Sequence, residues 1–239
     1  MPTTEPAPPA PPLVTLHVWR VPAARVPWAL TRMGLDRGRL RRTPGVRFAK
    51  MLGTGNGRTF TIRDSDPTRW ASLICWESAD AAEAARESGV LREWQKAATE
   101  TWRIDLKPLT SRGKWSGGEP FGVPEPSRTE GPVAAVTRAR LTARMAAGFW
   151  RAVPPVSADL HRSPGLRAAV GIGEAPIGLQ GTFSLWDSST ALRDFAHRGA
   201  AHTEVIRRTT EEGWYAEELF ARFAVLGSSG TLDGVDPAA

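Results

Sequence analysis

The chain contains an internal repeat, and this repeat constrains the fold more than any other feature of the sequence. Residues 42–49 (RTPGVRFA) match residues 162–169 (RSPGLRAA). Residues 73–78 (LICWES) match residues 183–188 (FSLWDS) in the same order. Two ordered matches without gaps predict that the chain folds as two copies of one structural unit.

Each copy has the pattern strand, helix, strand, strand, helix, strand. The strands are predicted from apolar and β-branched runs, and the helices from apolar residues at helical spacing. In the first copy the predicted strands are 13–21, 46–52, 70–76 and 102–109, with helices over 27–40 and from Ser78 onward. In the second copy they are 133–141, 166–172, 181–186 and 218–226, with helices over 143–150 and 189–212. The glycine-rich residues 53–57 are predicted to form a loop.

A four-stranded sheet with two helices on one face leaves its other face apolar and uncovered. Packing against a second such sheet is the usual way to cover that face. We therefore expect an α+β protein with two tandem ferredoxin-like repeats, forming a unit that resembles a dimeric α+β barrel. The space between the sheets and the helices is the expected ligand pocket.

The repeats and the composition together predict the domain boundaries. Residues 1–12 are rich in proline and are expected to form a disordered arm. The first repeat is assigned to residues 13–110 and the second to 132–227, with a tail over 228–239. Residues 111–131 form a linker by composition, but they contain Trp115 and Phe121, so we expect this linker to pack against the body.

The composition indicates a soluble globular protein. The net charge of +6 comes mainly from arginines that are interleaved with acidic residues, and no nucleic-acid-binding motif accompanies them. The single Cys75 allows no internal disulfide and fits a reducing compartment. Neither a secretory leader nor an apolar run of transmembrane length is present. We expect a cytoplasmic protein that can also associate peripherally with a membrane.

Several common catalytic and binding motifs are missing from the sequence. One cysteine cannot build a thiolate zinc site, and no His-Glu-x-x-His motif occurs. No Gly-x-Ser-x-Gly motif supports a lipase-like triad. The glycine-rich residues 53–57 lack the Lys-Ser/Thr pair of a phosphate-binding loop.

The last long predicted helix carries a histidine on an apolar stripe. Residues Ala191, Phe195, His202 and Ile206 recur at helical spacing. A neutral imidazole on an apolar wall is a suitable axial ligand for haem iron. The alternative for His202 is a half-buried or capping histidine. His197 is the second candidate ligand, while His17 and His161 are expected to be structural or surface residues.

The chain has ten tryptophans, which fall into two groups. Trp76 and Trp186 occupy matching strand ends and are predicted to be core residues. Trp115, Trp150 and Trp214 lie outside the matched positions. They are candidates for lining a pocket that holds a large flat or polyene ligand, with core packing as the alternative.

Several ordered motifs resemble the spheroidene monooxygenase (acyclic carotenoid 2-ketolase) family. They are KMLGTG at 50–55, RGKWSG at 112–117, PVAAVTRA at 132–139, FWRAVP at 149–154 and EEGWYAEELFARF at 211–223. The resemblance covers about residues 13–234. It implies a haem-dependent monooxygenase that uses dioxygen and electrons from a donor such as ferredoxin, on a hydrophobic carotenoid or another secondary metabolite.

The resemblance also implies roles for individual residues. His202 would hold the iron of haem b, and Trp214 and Arg207 would belong to the catalytic site. Lys50 and Arg207 are candidate partners for the haem propionates, with an exposed surface charge as the alternative for each. The side chains predicted to line the cofactor are Phe195, Ile206 and Trp150.

Two other classes of function stay open at this point. One is a haem-dependent dehydratase or a nitrogen-oxidising biosynthetic enzyme, since aldoxime dehydratases use a related fold for haem chemistry without oxygenation. The other is a cofactor-free monooxygenase or a protein that only binds a hydrophobic ligand. Homo-oligomerisation is also left open.

Overall fold

The computed structural model describes residues 8–56, 64–87, 89–125, 127–141, 159–174, 181–198 and 215–239. The strands are β1 (Leu13–Arg20), β2 (Val46–Gly55), β3 (Ser65–Trp76), β4 (Glu100–Gly113), β5 (Val133–Leu141), β6 (Leu166–Gly173), β7 (Gly181–Trp186) and β8 (Tyr215–Gly230). The helices are α1 (Val26–Arg41), α2 (Ala79–Arg86), α3 (Gly89–Ala97) and α4 (Ser189–Arg198). A short 3-10 turn, Ala23–Arg25, precedes α1.

All described strand pairs are antiparallel, and the sheet closes into a barrel in the order β1-β3-β2-β6-β7-β5-β8-β4. The first half contributes the order β4-β1-β3-β2, and the second half contributes β8-β5-β7-β6. The two halves therefore use one strand order. They join along a short seam between β2 and β6 and a long seam between β4 and β8.

The matched proline-glycine pairs form equivalent turns before β2 and β6. Gly45 has φ 77° and Gly165 has φ 78°, values that favour glycine. The carbonyl oxygen of Gly45 accepts a hydrogen bond from the backbone N–H of Glu77, and that of Gly165 accepts one from Asp187, both at 2.8 Å. Each turn is thus fixed against the end of the neighbouring strand.

The prediction of a loop at residues 53–57 is wrong at its start. Strand β2 continues to Gly55, and its last residues pair with Gly171, Ile172 and Gly173 of β6. The hydrogen bonds to a strand more than a hundred residues away outweigh the local preference of glycine for loops. This pairing closes the barrel.

Side chains fill the interior of the barrel. The alternate residues of all eight strands form one buried apolar cluster there. Two side chains outside the regular strands, Trp115 and Phe121, are buried in the same cluster, and Leu232 joins it from the C-terminal segment. The interior is therefore a packed core rather than a ligand chamber.

Trp115 and Leu232 lie on equivalent turns. Each follows a glycine with positive φ, Gly113 (94°) or Gly230 (82°), and each makes a backbone bridge to a residue three positions later. The segments after β4 and after β8 thus begin with the same structure. Trp115 was expected to lie outside the matched positions, but it matches Leu232, and it is a core residue.

Candidate functional site

The outer face of the first sheet is covered by helices and filled with aromatic side chains. Trp94 of α3 packs against Trp19 of β1, Trp28 of α1 and Trp70 of β3, with ring centroids 5.0–6.1 Å apart. The indole N–H of Trp94 donates to Asp36 at 2.9 Å, and this fully buried carboxylate also accepts hydrogen bonds from Arg32 and Arg39. This face has no room for a large ligand among the described side chains.

The outer face of the second sheet has smaller side chains at the equivalent positions. The registers of β1 with β3 and of β5 with β7 define the equivalence, because Leu13 pairs with Trp76 as Val133 pairs with Trp186. On the strands matched in this way, six positions lose volume from the first half to the second: Leu13 to Val133, Thr15 to Ala135, His17 to Thr137, Trp19 to Ala139, Met51 to Gly171 and Ile74 to Ser184. Val46 to Leu166 and Ser72 to Thr182 each gain one carbon atom. The net effect is a shallower layer of side chains.

This second outer face is packed at one end and open at the other. Near the start of β5, Trp186 is fully buried and packs on Phe195 of α4, with ring centroids 5.2 Å apart. Toward the end of β5, Thr137 is exposed and Ala139 is half-buried, whereas their counterparts His17 and Trp19 are buried. The end that carries Thr137 and Ala139 is the candidate ligand-binding surface.

The charges on the two outer faces also differ. In the first half, Arg103 of β4 pairs with Asp105 through two hydrogen bonds of 2.7 and 3.1 Å. The equivalent residues on β8, from the registers with β1 and β5, are Phe220 and Arg222. The second half thus replaces an ion pair by an aromatic ring and a cation.

A buried polar network closes one mouth of the barrel. The guanidinium of Arg138 donates to Glu174 at 2.5 Å and to Glu217 at 2.6 Å, and it lies 5.2 Å from the ring centre of Trp115. Burial alone would raise the pKa of Glu174, but the hydrogen bond from Lys50 and the charge of Arg138 outweigh it and keep that pKa below its usual value. The network holds charges in place, and the cavity beside Arg138, Glu174 and Trp115 measures only about 10 Å³.

A cavity of about 120 Å³ lies on the side of the first sheet, lined in part by His17, Arg103 and Gln95. Ligand pockets usually measure about 300 Å³ or more, so this cavity is too small for a porphyrin. His17 is buried and stacks on Trp19. Burial, together with the nearby charges of Arg103 and Arg86, lowers the pKa of His17 to about 3, so the ring is neutral.

The structure separates two of the predicted cofactor-binding residues. Phe195 lies on the outer side of the second sheet. Lys50 lies on the inner side of β2, where its ammonium group donates to Glu174 at 2.6 Å and to Ser116 at 2.5 Å. The structure therefore does not bring these two residues together.

The other predicted site residues lie outside the described residues. They are His202, Trp214, Arg207, Ile206 and Trp150. The side chain of His197 is also outside the description, although its backbone belongs to α4. His161 is exposed, and its ring nitrogen lies 3.2 Å from the carbonyl oxygen of Asn56.

The sequence-based prediction missed Arg138 and Arg222. Each lies in a strand among apolar or small residues, and this placement is the signal that could have drawn attention to them. The described residues hold no group of three or more His, Cys, Asp or Glu side chains that could bind a bare metal ion. No helix within the described ranges is long and apolar enough to cross a lipid bilayer.

Three curated proteins named spheroidene monooxygenase are similar to the chain. The one from Rhodobacter capsulatus is 37% identical over 233 residues and covers 95% of this chain and 96% of the relative. The one from Cereibacter sphaeroides is 34% identical and covers 88% of this chain and 65% of the relative. The one from Rubrivivax gelatinosus is 35% identical and covers 93% of this chain and 85% of the relative.

The comparison with solved structures supports the fold. An aldoxime dehydratase in complex with butyraldoxime matches with a TM-score of 0.58 at 11% identity, over 89% of this chain and 79% of that chain. At this identity the match indicates a common architecture only. No protein-family model matches the chain.

Proposed function

The chain belongs to the spheroidene monooxygenase family, and from that premise we propose that it oxidises a carotenoid with a haem b group held on the outer face of the second sheet. As a monooxygenase it acts on a small substrate with dioxygen. The family name supports a carotenoid, and another hydrophobic secondary metabolite is the wider substrate class. The haem does not follow from the names of the relatives, and it is a separate part of this proposal.

The observation that carries the haem proposal is the difference between the two outer faces. One sheet of this duplicated fold is covered by tryptophans, and the other has Ala139 and Gly171 at the places of Trp19 and Met51. A flat apolar macrocycle needs such a floor of small residues. The filled barrel interior leaves the outer side of a sheet as the place for a large cofactor.

The described residues fit one side of a haem site. Phe195, which packs on the buried Trp186, offers an apolar wall, Phe220 offers an aromatic ring, and Arg222 offers a cation for an acidic group. A haem iron needs only an axial ligand from the protein, for which we propose His202. Ile206, Trp150, Trp214 and Arg207 remain proposals for the lining and the catalytic site.

When bound, the haem supplies the oxidising chemistry with dioxygen and electrons. The chain itself binds, orients and excludes water. Phe195 packs on Trp186 and closes the start of β5 to solvent. The open end at Thr137 is then the side from which a long polyene would approach, because the packed core blocks any route through the barrel.

Four further statements belong to the same proposal. The electron donor is a ferredoxin-like protein, and the enzyme works in the cytoplasm, in peripheral contact with the membrane that dissolves its substrate. The fold consists of two ferredoxin-like repeats over residues 13–110 and 132–227, since both halves use one strand order. The proposal is also compatible with a homo-oligomer of this chain.

The test is the absorption spectrum of protein expressed with an adequate haem supply, before and after addition of dithionite and carbon monoxide. We expect a Soret band that shifts on reduction and on binding of carbon monoxide. His202→Ala should abolish the band, whereas the control His161→Ala should retain it. Wild-type protein without a Soret band would contradict the haem proposal, and an unchanged spectrum of His202→Ala would remove that residue as the ligand.

A further inference from the structure

The half-buried side chain of Arg222 has no binding partner among the described residues. It lies on the outer face of β8, where it is paired in register with Thr110 of β4 and Ala135 of β5. Within the described part of the chain, its guanidinium forms neither a hydrogen bond nor an ion pair. Charged groups that leave water are normally paired, so a half-buried cation that the described residues leave unpaired is available to a ligand.

In the first half, the position equivalent to Arg222 belongs to an ion pair within the chain. There the equivalent residue is Asp105, and Arg103 on the same strand neutralises it. In the second half the charge is reversed, and the place of the neutralising residue is taken by Phe220. The ion pair of the first half has therefore been replaced by a cation beside an apolar ring.

The neighbours of Arg222 on this face are small or apolar. Ala224 and Phe220 flank it along β8, and Ala135 and then Ser184 follow across β5 and β7. The acidic residue on the same face of β8, Glu218, lies 3.9 Å from the exposed Arg112. The surroundings thus combine small or apolar side chains with a cation that the described residues leave unpaired.

We propose that Arg222 binds a propionate carboxylate of the haem, an inference that rests on the proposed function. A guanidinium can donate two parallel hydrogen bonds to a carboxylate, and this geometry would fix the orientation of the macrocycle on the sheet. A flat apolar ring with carboxylates along one edge matches small and apolar residues that lie beside the guanidinium of Arg222.

The experiment is a titration of the apoprotein with haem and with haem dimethyl ester, whose carboxylates are blocked. We expect the wild type to bind haem about tenfold more tightly than the ester, the ratio typical of one charged hydrogen-bonded contact. Arg222→Gln should bind haem about tenfold more weakly and lose the preference over the ester. Arg140→Gln, which removes an exposed charge on the opposite face of the sheet, should change neither value.

The melting temperature of the apoprotein gives a second measurement that does not depend on loaded enzyme. Because Arg222 is paired with none of the described residues, Arg222→Gln should leave this temperature unchanged or raise it. A clear fall would show that the residue stabilises the fold and would overturn the inference. Equal haem affinity of the wild type and Arg222→Gln would overturn it while leaving haem binding intact, whereas a wild type that binds no haem would overturn the proposed function with it.

Discussion

On the outer face of β1, Trp19 packs against Trp94, and at the matching place on β5 stands Ala139. The described strands of the two halves have the same order, and β1 and β5 have equivalent registers with their neighbours. At the matched positions of β1, β2 and β3, six side chains are smaller in the second half and two are larger. A duplicated fold can therefore keep one copy as a filled scaffold and open the other for a ligand, without a change of topology.

The scaffold role of the first half can be tested by Trp19→Ala. We expect a loss of about 3–5 kcal/mol in the free energy of unfolding, the usual cost of removing a large buried aromatic side chain. Haem binding at saturation should stay at the wild-type stoichiometry below the unfolding transition. Denaturant titration measures the first quantity and absorbance the second. A stable variant that has lost its haem would mean that haem binding depends on the first outer face, which contradicts the account.

The ligand role of the second half can be tested by Ala139→Trp, which copies the side chain of the first half. We expect haem affinity to fall at least about a hundredfold, because the indole would occupy the floor on which the macrocycle lies. The half-buried position should tolerate the larger side chain, so the free energy of unfolding should change by less than about 1 kcal/mol. Wild-type affinity in this variant would refute the assignment of the face.

The equivalent turns after β4 and β8 allow a finer comparison. Glu217 accepts hydrogen bonds from the backbone N–H groups of Ser116 and Gly117, and Glu100 accepts one from Gly234. We expect Glu217→Gln to cost about 2 kcal/mol of stability, because it leaves the buried Arg138 with one partner fewer. Glu100→Gln should cost less, because its partner Arg20 is half-buried and keeps its ion pairs with Asp66 and Asp233. Parallel denaturation curves would measure both, and equal losses would contradict this account of the barrel mouth.

The smallest expected effect concerns pH. The pKa of His17 is lowered to about 3 in the folded chain, below the value of 6.5 of an exposed histidine. At a pH between these two values, His17 binds a proton in the unfolded chain but not in the folded chain. The free energy of unfolding therefore falls as the pH falls. We expect a contribution of about 1 kcal/mol between pH 7 and pH 5.5.

His17→Thr, which copies the second half, should remove this slope. The denaturation midpoints of both proteins at pH 7, 6 and 5.5 provide the check. Carboxylates titrate mainly below this range, so they do not mask the effect. Identical slopes for the two proteins would show that His17 is not the group responsible.

Local signals predicted much of the fold. The bounds of β5 and β7 agree with the prediction from apolar runs, and Ser78 caps α2 as expected by accepting a hydrogen bond from the N–H of Ala81. The matched Trp76 and Trp186 are both fully buried, as predicted. These features depend on neighbours in sequence or on the repeat itself.

Features that depend on distant partners could not be predicted. Gly53 and Gly55 extend β2 because β6 offers hydrogen bonds there. Arg138 is buried because Glu174 and Glu217 come to it from elsewhere in the chain. The same limit applies to the candidate site, since only the placement of the neighbouring strands shows that the described residues leave Arg222 unpaired.

The most direct measurement is the position of the iron, from anomalous diffraction of crystals of the haem-loaded protein. The account predicts one iron per chain, over the outer face of the sheet formed by β5, β6, β7 and β8, on the side of Ala139 and Arg222. An iron over the face that carries Trp19 and Trp94, or one inside the barrel, would contradict it.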